Sequence, residues 1–255
     1  MMISVVIPLY NEEENVQPLL DELLPVLDGM KLAHEVILVD DGSVDATGAR
    51  IAAARAAHPD RIRHIALERN TGQTAALDAG FRAVRGDVVV MMDGDLQVDP
   101  RDIPRMVEHL QGWDMVHGWR WQRRDTFFKR IQTRIANRVR NVLTGSDVHD
   151  TGCPLKVMRR EVVERFRLFT GLHRFLITLA RMEGFRTLEV KVAHRPRLMG
   201  TSKYGLLNRV FRAFRDLFAV RWMMARHYRL EARELGVEGA PKDLRKGVES
   251  EGRAG

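Results

Sequence analysis

The first 120 residues alternate between short apolar runs and longer segments in which apolar residues recur every three or four positions. The first kind of segment is typical of buried strands and the second of amphipathic helices. Strict alternation of strand and helix predicts a doubly wound α/β fold, with a parallel sheet between helices. The predicted strands cover residues 3–9, 35–39, 62–67, 87–92 and 115–117, and the predicted helices cover residues 12–27, 45–57, 74–84 and 100–110.

The second half of the chain is less regular. Residues 127–143 have helical spacing with basic residues between the apolar ones, residues 185–192 predict a strand, and residues 195–204 predict a basic loop. A last helix follows, and the charged end of the chain has too few large apolar residues to form a core. The expected organisation is one α/β domain at 1–205, an amphipathic basic helix at 206–230 and a disordered tail at 231–255.

Carboxylates directly follow two of the predicted strands. Asp93 and Asp95 end the fourth strand, and Asp40 and Asp41 end the second. Because the carboxyl ends of parallel strands border the crevice where such sheets bind ligands, we expect all four to face one site. Asp93 and Asp95, with Gln97 close by, offer only oxygen ligands, which suit Mg²⁺ or Mn²⁺ rather than zinc. Asp-Gly pairs are also common turn formers, which is the alternative for either strand end alone.

The formal net charge of +7 is unevenly distributed. Eight basic residues and one acidic residue lie between positions 120 and 140, and seven basic residues and one acidic residue lie between 203 and 229. Such stretches suit an anionic partner, whether nucleic acid, phospholipid head groups or a phosphorylated substrate. Cys153 is the only cysteine, which excludes an intrachain disulfide and a cysteine-rich zinc site.

The chain starts with a predicted strand rather than with the basic and apolar segments of a secretion signal. No window approaches the roughly 20 consecutive apolar residues that cross a bilayer. We therefore expect a protein that is soluble or lies on a membrane surface.

Six short motifs occur in order along the first 204 residues. They are VIPLYNE at 6–12, VDDGSVD at 39–45, NTG at 70–72, DGDLQ at 93–97, DTGC at 150–153 and RLMGTSKY at 197–204. With these motifs the chain resembles the family 2 glycosyltransferases of the GT-A fold. Within them it is most similar to the dolichyl- and polyprenyl-phosphate sugar synthases, the dolichol-phosphate mannosyltransferase-like branch.

The resemblance implies a GT-A type, mostly parallel sheet and a nucleotide-sugar donor. It implies one divalent cation, Mg²⁺ or Mn²⁺, held by Asp93, Asp95 and Gln97 against the donor diphosphate. It also implies that Arg197 and Lys203 clamp phosphate from a mobile loop. The implied nucleotide-sugar contacts are Pro8, Tyr10, Glu12, Asp40, Asp41, Asp93, Arg197 and Lys203.

The acceptor is constrained by acid–base chemistry. A phosphate monoester is already largely dianionic at neutral pH, so a phosphate acceptor needs cations more than a general base. Arg120 and Arg134 are the predicted acceptor-phosphate contacts. Asp150 matches an acidic motif position and is assigned a catalytic or positioning role, beside the catalytic Asp93 and Asp95; its alternative is a turn cap.

The last predicted helix has a stripe of apolar residues flanked by arginines. The stripe consists of Leu207, Phe211, Phe214, Phe218 and Trp222. This pattern indicates either a helix in the interface of an anionic membrane or a helix packed on the domain, and both readings stay open. Many relatives carry transmembrane helices after the catalytic domain. Because no such helix is predicted here, we expect attachment to be peripheral or through a membrane-protein partner. A homo-oligomer is the other partner considered.

The leading hypothesis is an inverting, metal-dependent transfer of a hexosyl group from a UDP- or GDP-sugar to a polyprenyl phosphate at the cytoplasmic membrane face. Its nearest rival uses a lipid or glycan hydroxyl as acceptor, with Asp150 as base. A nucleotidyltransferase would place a glycine-rich loop after the first strand, and a nicotinamide dehydrogenase would have G-x-G-x-x-G there; neither is present. Nucleic-acid binding and a non-catalytic membrane adaptor are the remaining readings of the basic stretches, and we expect no nucleic-acid partner.

Overall fold

The structure is a computed structural model that describes residues 1–121, 138, 140–193, 195 and 206–228, without the side chains of 206–214. The described strands form one sheet in the order β3-β2-β1-β4-β6-β5-β7. They are β1 (Met2–Leu9), β2 (Ala33–Asp40), β3 (Ile62–Ala66), β4 (Val88–Met91), β5 (Met115–Arg120), β6 (Lys156–Arg159) and β7 (Thr187–Val192). The described helices are α1 (Val16–Gly29), α2 (Thr47–Ala57), α3 (Gln73–Arg82), α4 (Ile103–His109), α5 (Arg160–Arg165), α6 (Leu176–Met182) and α7 (Leu206–Arg226).

The sheet separates two hydrophobic cores. Successive side chains of β1 enter opposite cores, since Val5 and Ile7 pack in one and Val6 packs in the other. The strands β1, β2 and β4 are apolar almost without interruption because both faces of the central sheet are covered. Close packing of α3 on β1 requires Gly80, where an added Cβ would lie 2.4 Å from Val6 Cγ1.

The predicted mostly parallel sheet is confirmed, with one strand that sequence reasoning missed. β6 runs antiparallel between β4 and β5 and therefore interrupts the strict alternation of parallel strands and helices. Its apolar signal is short, because Val157 and Met158 stand between Lys156 and Arg159 in a four-residue strand. A pattern search based on apolar runs does not detect such a strand.

Several helix boundaries differ from the predictions. The first helix begins at Val16 rather than at residue 12, because Asn11 has a left-handed φ of 52° and the chain turns before the helix starts. The helix predicted at 100–110 is a 3₁₀ turn (Pro100–Asp102) followed by α4. Asp99 caps this turn, accepting a hydrogen bond of 3.0 Å from the Arg101 amide. Most of the helix predicted at 127–143 lies outside the described residues.

The helix α7 packs on the domain through one face. Leu217 and Val220 are buried in the second core, and Asp216 accepts a hydrogen bond of 2.7 Å from Arg174. Phe218 and Trp222 point away from the core, with 63% and 64% of their surfaces exposed. No helix in the described part of the chain is both long and apolar enough to span a bilayer. The segment 231–255 lies outside the described residues.

Candidate active site

The two acidic strand ends lie on either side of the end of β1. Leu9 pairs with Asp40 of β2, and on the other side the Met92 amide donates to the Val6 carbonyl at 3.2 Å. The turn after β4 packs directly on β1, because a Cβ added to Gly94 would lie 2.3 Å from Leu9 Cδ2. The structure thus brings Asp40 and Asp93 to the same edge of the sheet.

The loops that follow β1 and β2 are tied to each other. The Asn11 amide donates to Ser43 Oγ at 3.0 Å, and the Val44 amide donates to Asn11 Oδ1 at 2.9 Å. The Ser43 amide also donates to Asp40 Oδ1 at 2.9 Å. Asn11 is a residue whose role sequence reasoning missed, although asparagine is among the few residues that tolerate its left-handed backbone.

The predicted base-pocket residues Pro8, Tyr10 and Glu12 follow one another at the carboxyl end of β1. Pro8 is the second-last residue of that strand. The Glu12 amide donates to Thr47 Oγ1 at 2.8 Å, and the Glu12 carboxylate accepts from Asn15 Nδ2 at 2.5 Å. These bonds anchor the loop on α1 and α2, which fixes the wall of the crevice.

Asp41 is buried and holds the NTG motif. Its carboxylate accepts hydrogen bonds from Asn70 Nδ2 at 3.0 Å, from the Thr71 amide at 2.8 Å and from the Gly72 amide at 2.9 Å. Burial raises the pKa of Asp41, although the two backbone bonds oppose the rise. Both carboxylate oxygens therefore fasten the loop that leads into α3, while the predicted contact of Asp41 with a nucleotide stays a prediction.

The Asp93 and Asp95 side chains lie at the end of β4. Asp93 Oδ1 accepts a hydrogen bond of 2.8 Å from Gln73 Nε2, the first residue of α3. Asp95 is buried, and its Oδ1 accepts from the Gln97 amide at 3.2 Å. The Gln97 carbonyl in turn accepts from the Arg195 amide at 2.9 Å.

Arg195 belongs to an ion-pair network beside this turn. Arg195 pairs with Glu22 at 2.6 Å and with Asp99 at 2.9 Å. Burial alone would raise the pKa of Asp99, but hydrogen bonds from Arg101 and Arg195 outweigh burial and lower it to about 2. The backbone that follows the two carboxylates is therefore fixed from several sides.

The donor set at β4 suits a hard divalent cation that completes its coordination with a substrate. Asp93, Asp95 and Gln97 offer oxygen atoms, which Mg²⁺ and Mn²⁺ prefer. Among the described residues, no three His, Cys, Asp or Glu side chains form a ready-made metal cluster. Mg²⁺ in proteins is commonly held by one or two carboxylates together with substrate phosphates, and the two carboxylates here fit that arrangement.

Asp150 and Arg120 form an ion pair at the end of β5. Arg120 Nε donates to Asp150 Oδ2 at 2.7 Å, and Arg120 Nη2 donates to Asp150 Oδ1 at 2.9 Å. Glu189 of β7 supports the pair, because it accepts from the Asp150 amide at 2.9 Å and from the His149 amide at 3.0 Å. Burial opposes the charge of Arg120, but the hydrogen bonds that it donates to Asp150 raise its pKa. Two residues that were predicted separately are thus partners.

Comparison with known proteins decides the family. The family model "Glycosyl transferase family 2" matches residues 4–167, which include the ends of β1, β2, β4 and β5. The chain is a family 2 glycosyltransferase. This confirms the resemblance that the six motifs indicated.

The transferase is similar to curated proteins that act on polyprenyl phosphates. It is 38% identical over 227 residues to a dodecaprenyl-phosphate galacturonate synthase of Rhizobium johnstonii, covering 87% of this chain and 67% of the relative. It is also 38% identical to an undecaprenyl-phosphate 4-deoxy-4-formamido-L-arabinose transferase of Aeromonas hydrophila, covering 81% of this chain and 64% of the relative. The chain thus spans about two-thirds of the length of these relatives.

Solved structures confirm the GT-A fold. A glucosyl-3-phosphoglycerate synthase of Mycobacterium tuberculosis, in complex with Mn²⁺, UDP and phosphoglyceric acid, superimposes with a TM-score of 0.67 at 23% identity, covering 88% of this chain and 78% of that one. A mannosyltransferase of Pyrobaculum calidifontis in complex with GDP-mannose and Mn²⁺ gives a TM-score of 0.59 at 21% identity, covering 90% of this chain and 65% of that one.

Three predicted site residues of the transferase lie outside the described residues. They are Arg134, Arg197 and Lys203. Their assigned contacts with acceptor phosphate and donor remain predictions.

The structure adds polar groups that sequence reasoning did not single out. Gln73 contacts Asp93, and the next residue, Thr74, contacts His173 Nδ1 at 2.7 Å through its hydroxyl. Burial lowers the pKa of His173 to about 4. The Arg140 guanidinium donates to the hydroxyl of Thr151, beside Asp150. Gln73 directly follows the NTG motif, which is the one sequence signal that pointed to it.

Proposed function

We propose that the transferase moves a hexosyl group from a nucleotide sugar to the phosphate of a polyprenyl phosphate. The observation that carries the proposal is the bidentate pair of Arg120 and Asp150. Both oxygens of Asp150 accept hydrogen bonds from the guanidinium, so the carboxylate orients Arg120 rather than acting as a general base. A guanidinium has five N–H donors and can hold Asp150 and a phosphate at the same time.

The chemistry of a phosphate acceptor agrees with this wall of the site. A phosphate monoester is ionised enough at neutral pH to attack without a general base. A phosphate acceptor does need positive charge nearby. Arg120 and Arg140, both largely buried next to the 150–153 turn, would supply that charge. The relatives named for transfer to dodecaprenyl and undecaprenyl phosphate support the same acceptor class.

The donor would lie at the ends of β1, β2 and β4. Asp93 and Asp95 would hold a divalent cation together with the donor diphosphate, and Gln97 would complete the protein's share of the ligands. The cation, when bound, supplies Lewis-acid stabilisation of the departing nucleoside diphosphate. Gln73 orients the Asp93 carboxylate. The hydrogen bond between Asn11 and the loop after β2 holds in place the loops that would contact the nucleotide. Direct displacement by the acceptor phosphate would invert the anomeric configuration.

We further propose that the transferase works at the cytoplasmic face of the membrane, through α7. Its buried residues anchor it to the domain, while Phe218 and Trp222 lie one turn apart on the exposed side. Arg215 and Arg221 are exposed near them. Aromatic and arginine side chains together suit the interface of an anionic bilayer, where a polyprenyl phosphate presents its head group.

Release of nucleoside diphosphate tests the proposed function. A panel of UDP- and GDP-sugars is assayed with Mn²⁺ or Mg²⁺, with and without a short polyprenyl phosphate, and Asp95→Ala serves as the inactive control. We expect lipid-dependent release from one donor and its loss in the control. No stimulation by polyprenyl phosphate with any donor would reject the proposal.

Asp150→Asn separates the phosphate acceptor from the rival hydroxyl acceptor. If Asp150 orients Arg120, the amide keeps part of that contact, and we expect turnover to fall by roughly tenfold with a raised acceptor KM. If Asp150 were a general base for a hydroxyl, kcat would fall by roughly 10²–10⁴-fold and a sugar or lipid alcohol would serve as acceptor. Asp147→Asn is the matched control, because Asp147 is exposed and pairs with Arg181.

A further inference from the structure

Lys156 is a lysine in the interior of the sheet. It is the first residue of β6 and pairs with Met91 of β4 on one side and His117 of β5 on the other. Only 2% of its surface is exposed. Directly paired residues of neighbouring strands project to the same face. Asp93 accepts a hydrogen bond from Gln73 at the start of α3, and Leu77 of that helix packs in the same core as Met91.

Lys156 lies between two turns of the site. Its Nζ donates to the carbonyl of Cys153, which closes the turn that begins at Asp150. The Cys153 amide donates to the Asp150 carbonyl at 3.3 Å within the same turn. The carboxylates of Asp93 and Asp150 both act to raise the pKa of Lys156, which burial lowers. Lys156 thus contacts the turn before β6 directly and pairs with Met91, the last residue of β4.

The two buried histidines near Lys156 do not supply a second positive charge. Burial lowers the pKa of His117 to about 3 and that of His173 to about 4, and Lys156 contributes to both shifts. Both histidines are therefore neutral near pH 7. Burial also lowers the pKa of Lys156 itself, while Cys153, Asp93 and Asp150 oppose that change and Arg120 adds to it.

Packing alone does not explain a lysine at this position. Moving an ammonium group out of water is costly, and an apolar side chain of similar volume is often neutral or stabilising in its place. The next two residues of β6, Val157 and Met158, are buried apolar side chains of the usual kind. The position of Lys156 between two acidic turns therefore indicates a role in the active site rather than in core packing.

We propose that Lys156 is a positioning residue that holds the Asp93 carboxylate and the 150–153 turn at a fixed separation. The inference rests on the proposed function, in which Asp93 holds the metal-bound donor and Arg120 with Asp150 holds the acceptor phosphate. The reacting atoms must approach to near-attack distance, and a displacement of about 1 Å can cost roughly a hundredfold in rate. Lys156 thus keeps the donor-binding and acceptor-binding parts of the site at the right distance from each other without contacting either substrate.

Three variants test the proposal. Lys156→Met replaces the ammonium by an apolar group of similar length, Lys156→Gln keeps a hydrogen-bond donor without the charge, and Lys156→Arg keeps the charge. The exposed lysine of β7 provides the control Lys191→Met. Each variant is measured for thermal unfolding, for kcat and both KM values, and for Mn²⁺ binding in the presence of UDP or GDP.

The expected result is a loss of turnover without a loss of fold. We expect Lys156→Met and Lys156→Gln to melt near the wild-type temperature while kcat falls roughly tenfold to a hundredfold, with smaller changes in either KM. Lys156→Arg should recover part of the turnover. Wild-type kcat in Lys156→Gln or in Lys156→Met, when folded, would overturn the proposal, as would a kcat loss that merely follows a lower melting temperature.

Mn²⁺ binding distinguishes this inference from the proposed function, because it needs no transfer reaction. Removing a nearby positive charge should tighten Mn²⁺ binding if Lys156 acts on Asp93 only as a charge. If Lys156 positions Asp93, binding should instead weaken several-fold in Lys156→Met and Lys156→Gln and recover in Lys156→Arg. Tighter binding in the first two variants would reject a positioning role even if no donor or acceptor supported turnover.

Discussion

Arg120 and Asp150 are joined by two charge-assisted hydrogen bonds of 2.7 and 2.9 Å, although 30 residues separate them in the chain. Both side chains are almost fully enclosed. The pair has one geometry, because the planar guanidinium meets the carboxylate edge on. Under the proposed function, this pair lies where Arg120 would contact the acceptor phosphate.

Arg120→Lys should weaken acceptor binding selectively. A lysine keeps the positive charge but cannot hold Asp150 in a two-bond fork and contact a phosphate in the same orientation. We expect the KM for polyprenyl phosphate to rise roughly tenfold while the KM for the donor stays within a factor of two of the wild type. Steady-state kinetics with each substrate varied in turn measure both constants. Equal increases in the two KM values would contradict an acceptor-side role.

Gly94→Ala should disturb the turn that carries the two carboxylates. A Cβ at this position would lie 2.3 Å from Leu9 Cδ2, and Leu9 is buried at the end of β1. We expect the free energy of unfolding to fall by about 1–3 kcal/mol, as for other overpacked cores, and turnover to fall with it. Urea unfolding measures the first effect.

Two variants check that the clash with Leu9 causes the Gly94 effect. Gly112→Ala should be nearly neutral, since nothing lies within 4 Å of a Cβ added there. Leu9→Ala in the Gly94→Ala background should recover part of the activity by making room for the methyl group. Failure of the second change to help would show that the turn is sensitive for another reason.

His117 should make the transferase sensitive to mild acid. Burial lowers its pKa to about 3, whereas an unfolded chain has a histidine pKa near 6.5. The unfolded state therefore binds a proton that the folded state rejects, and stability present above pH ~6.5 is lost as the pH falls towards the folded pKa. Relative to His117→Leu, the wild type should lose about 1 kcal/mol of unfolding free energy between pH 7.5 and 5.5.

Chemical denaturation at the two pH values measures that difference. His109→Leu, at an exposed position in α4, is the control and should show the same pH dependence as the wild type. An identical pH dependence in His117→Leu and wild type would show that this imidazole is not held neutral by burial.

Sequence reasoning found the strand ends because their signal is local. An apolar run followed by carboxylates, as at Asp93, is visible within ten residues. The parallel direction of β1, β2 and β4 follows from the alternation of strands and helices along the chain. It did not find β6, whose apolar content is two residues flanked by Lys156 and Arg159. A strand that short is recognised only by its neighbours in the sheet.

Sequence reasoning also could not assign partners to the polar residues. It placed Asp41 at the nucleotide, a contact that stays a prediction, but it did not predict that the same carboxylate holds the loop of Asn70 to Gly72. It named Arg120 and Asp150 for separate tasks and gave no reason to join them. Residue type and motif order identify which groups belong to a site, but pairing depends on distances between segments that are far apart in the chain.

The exposed face of α7 should bind anionic membranes. Phe218 and Trp222 are each more than half exposed and lie one turn apart, whereas Leu217 and Val220 fix the opposite face to the core. The double change Phe218→Ser and Trp222→Ser should therefore leave the fold intact and weaken binding to phosphatidylglycerol vesicles by roughly tenfold or more. Vesicle cosedimentation at low and high salt measures the loss and its electrostatic share.

Val44→Ser, at an exposed position far from α7 in the chain, is the control for this membrane experiment and should bind vesicles like the wild type. Phosphatidylcholine vesicles should bind all three proteins weakly, because the arginines of α7 then face no net negative surface. Unchanged binding of the double variant to anionic vesicles would assign membrane contact to another part of the chain. Weaker binding together with normal turnover on a detergent-dispersed acceptor would separate the membrane contact from the chemistry, because Phe218 and Trp222 would then serve only to bring the active site to the bilayer.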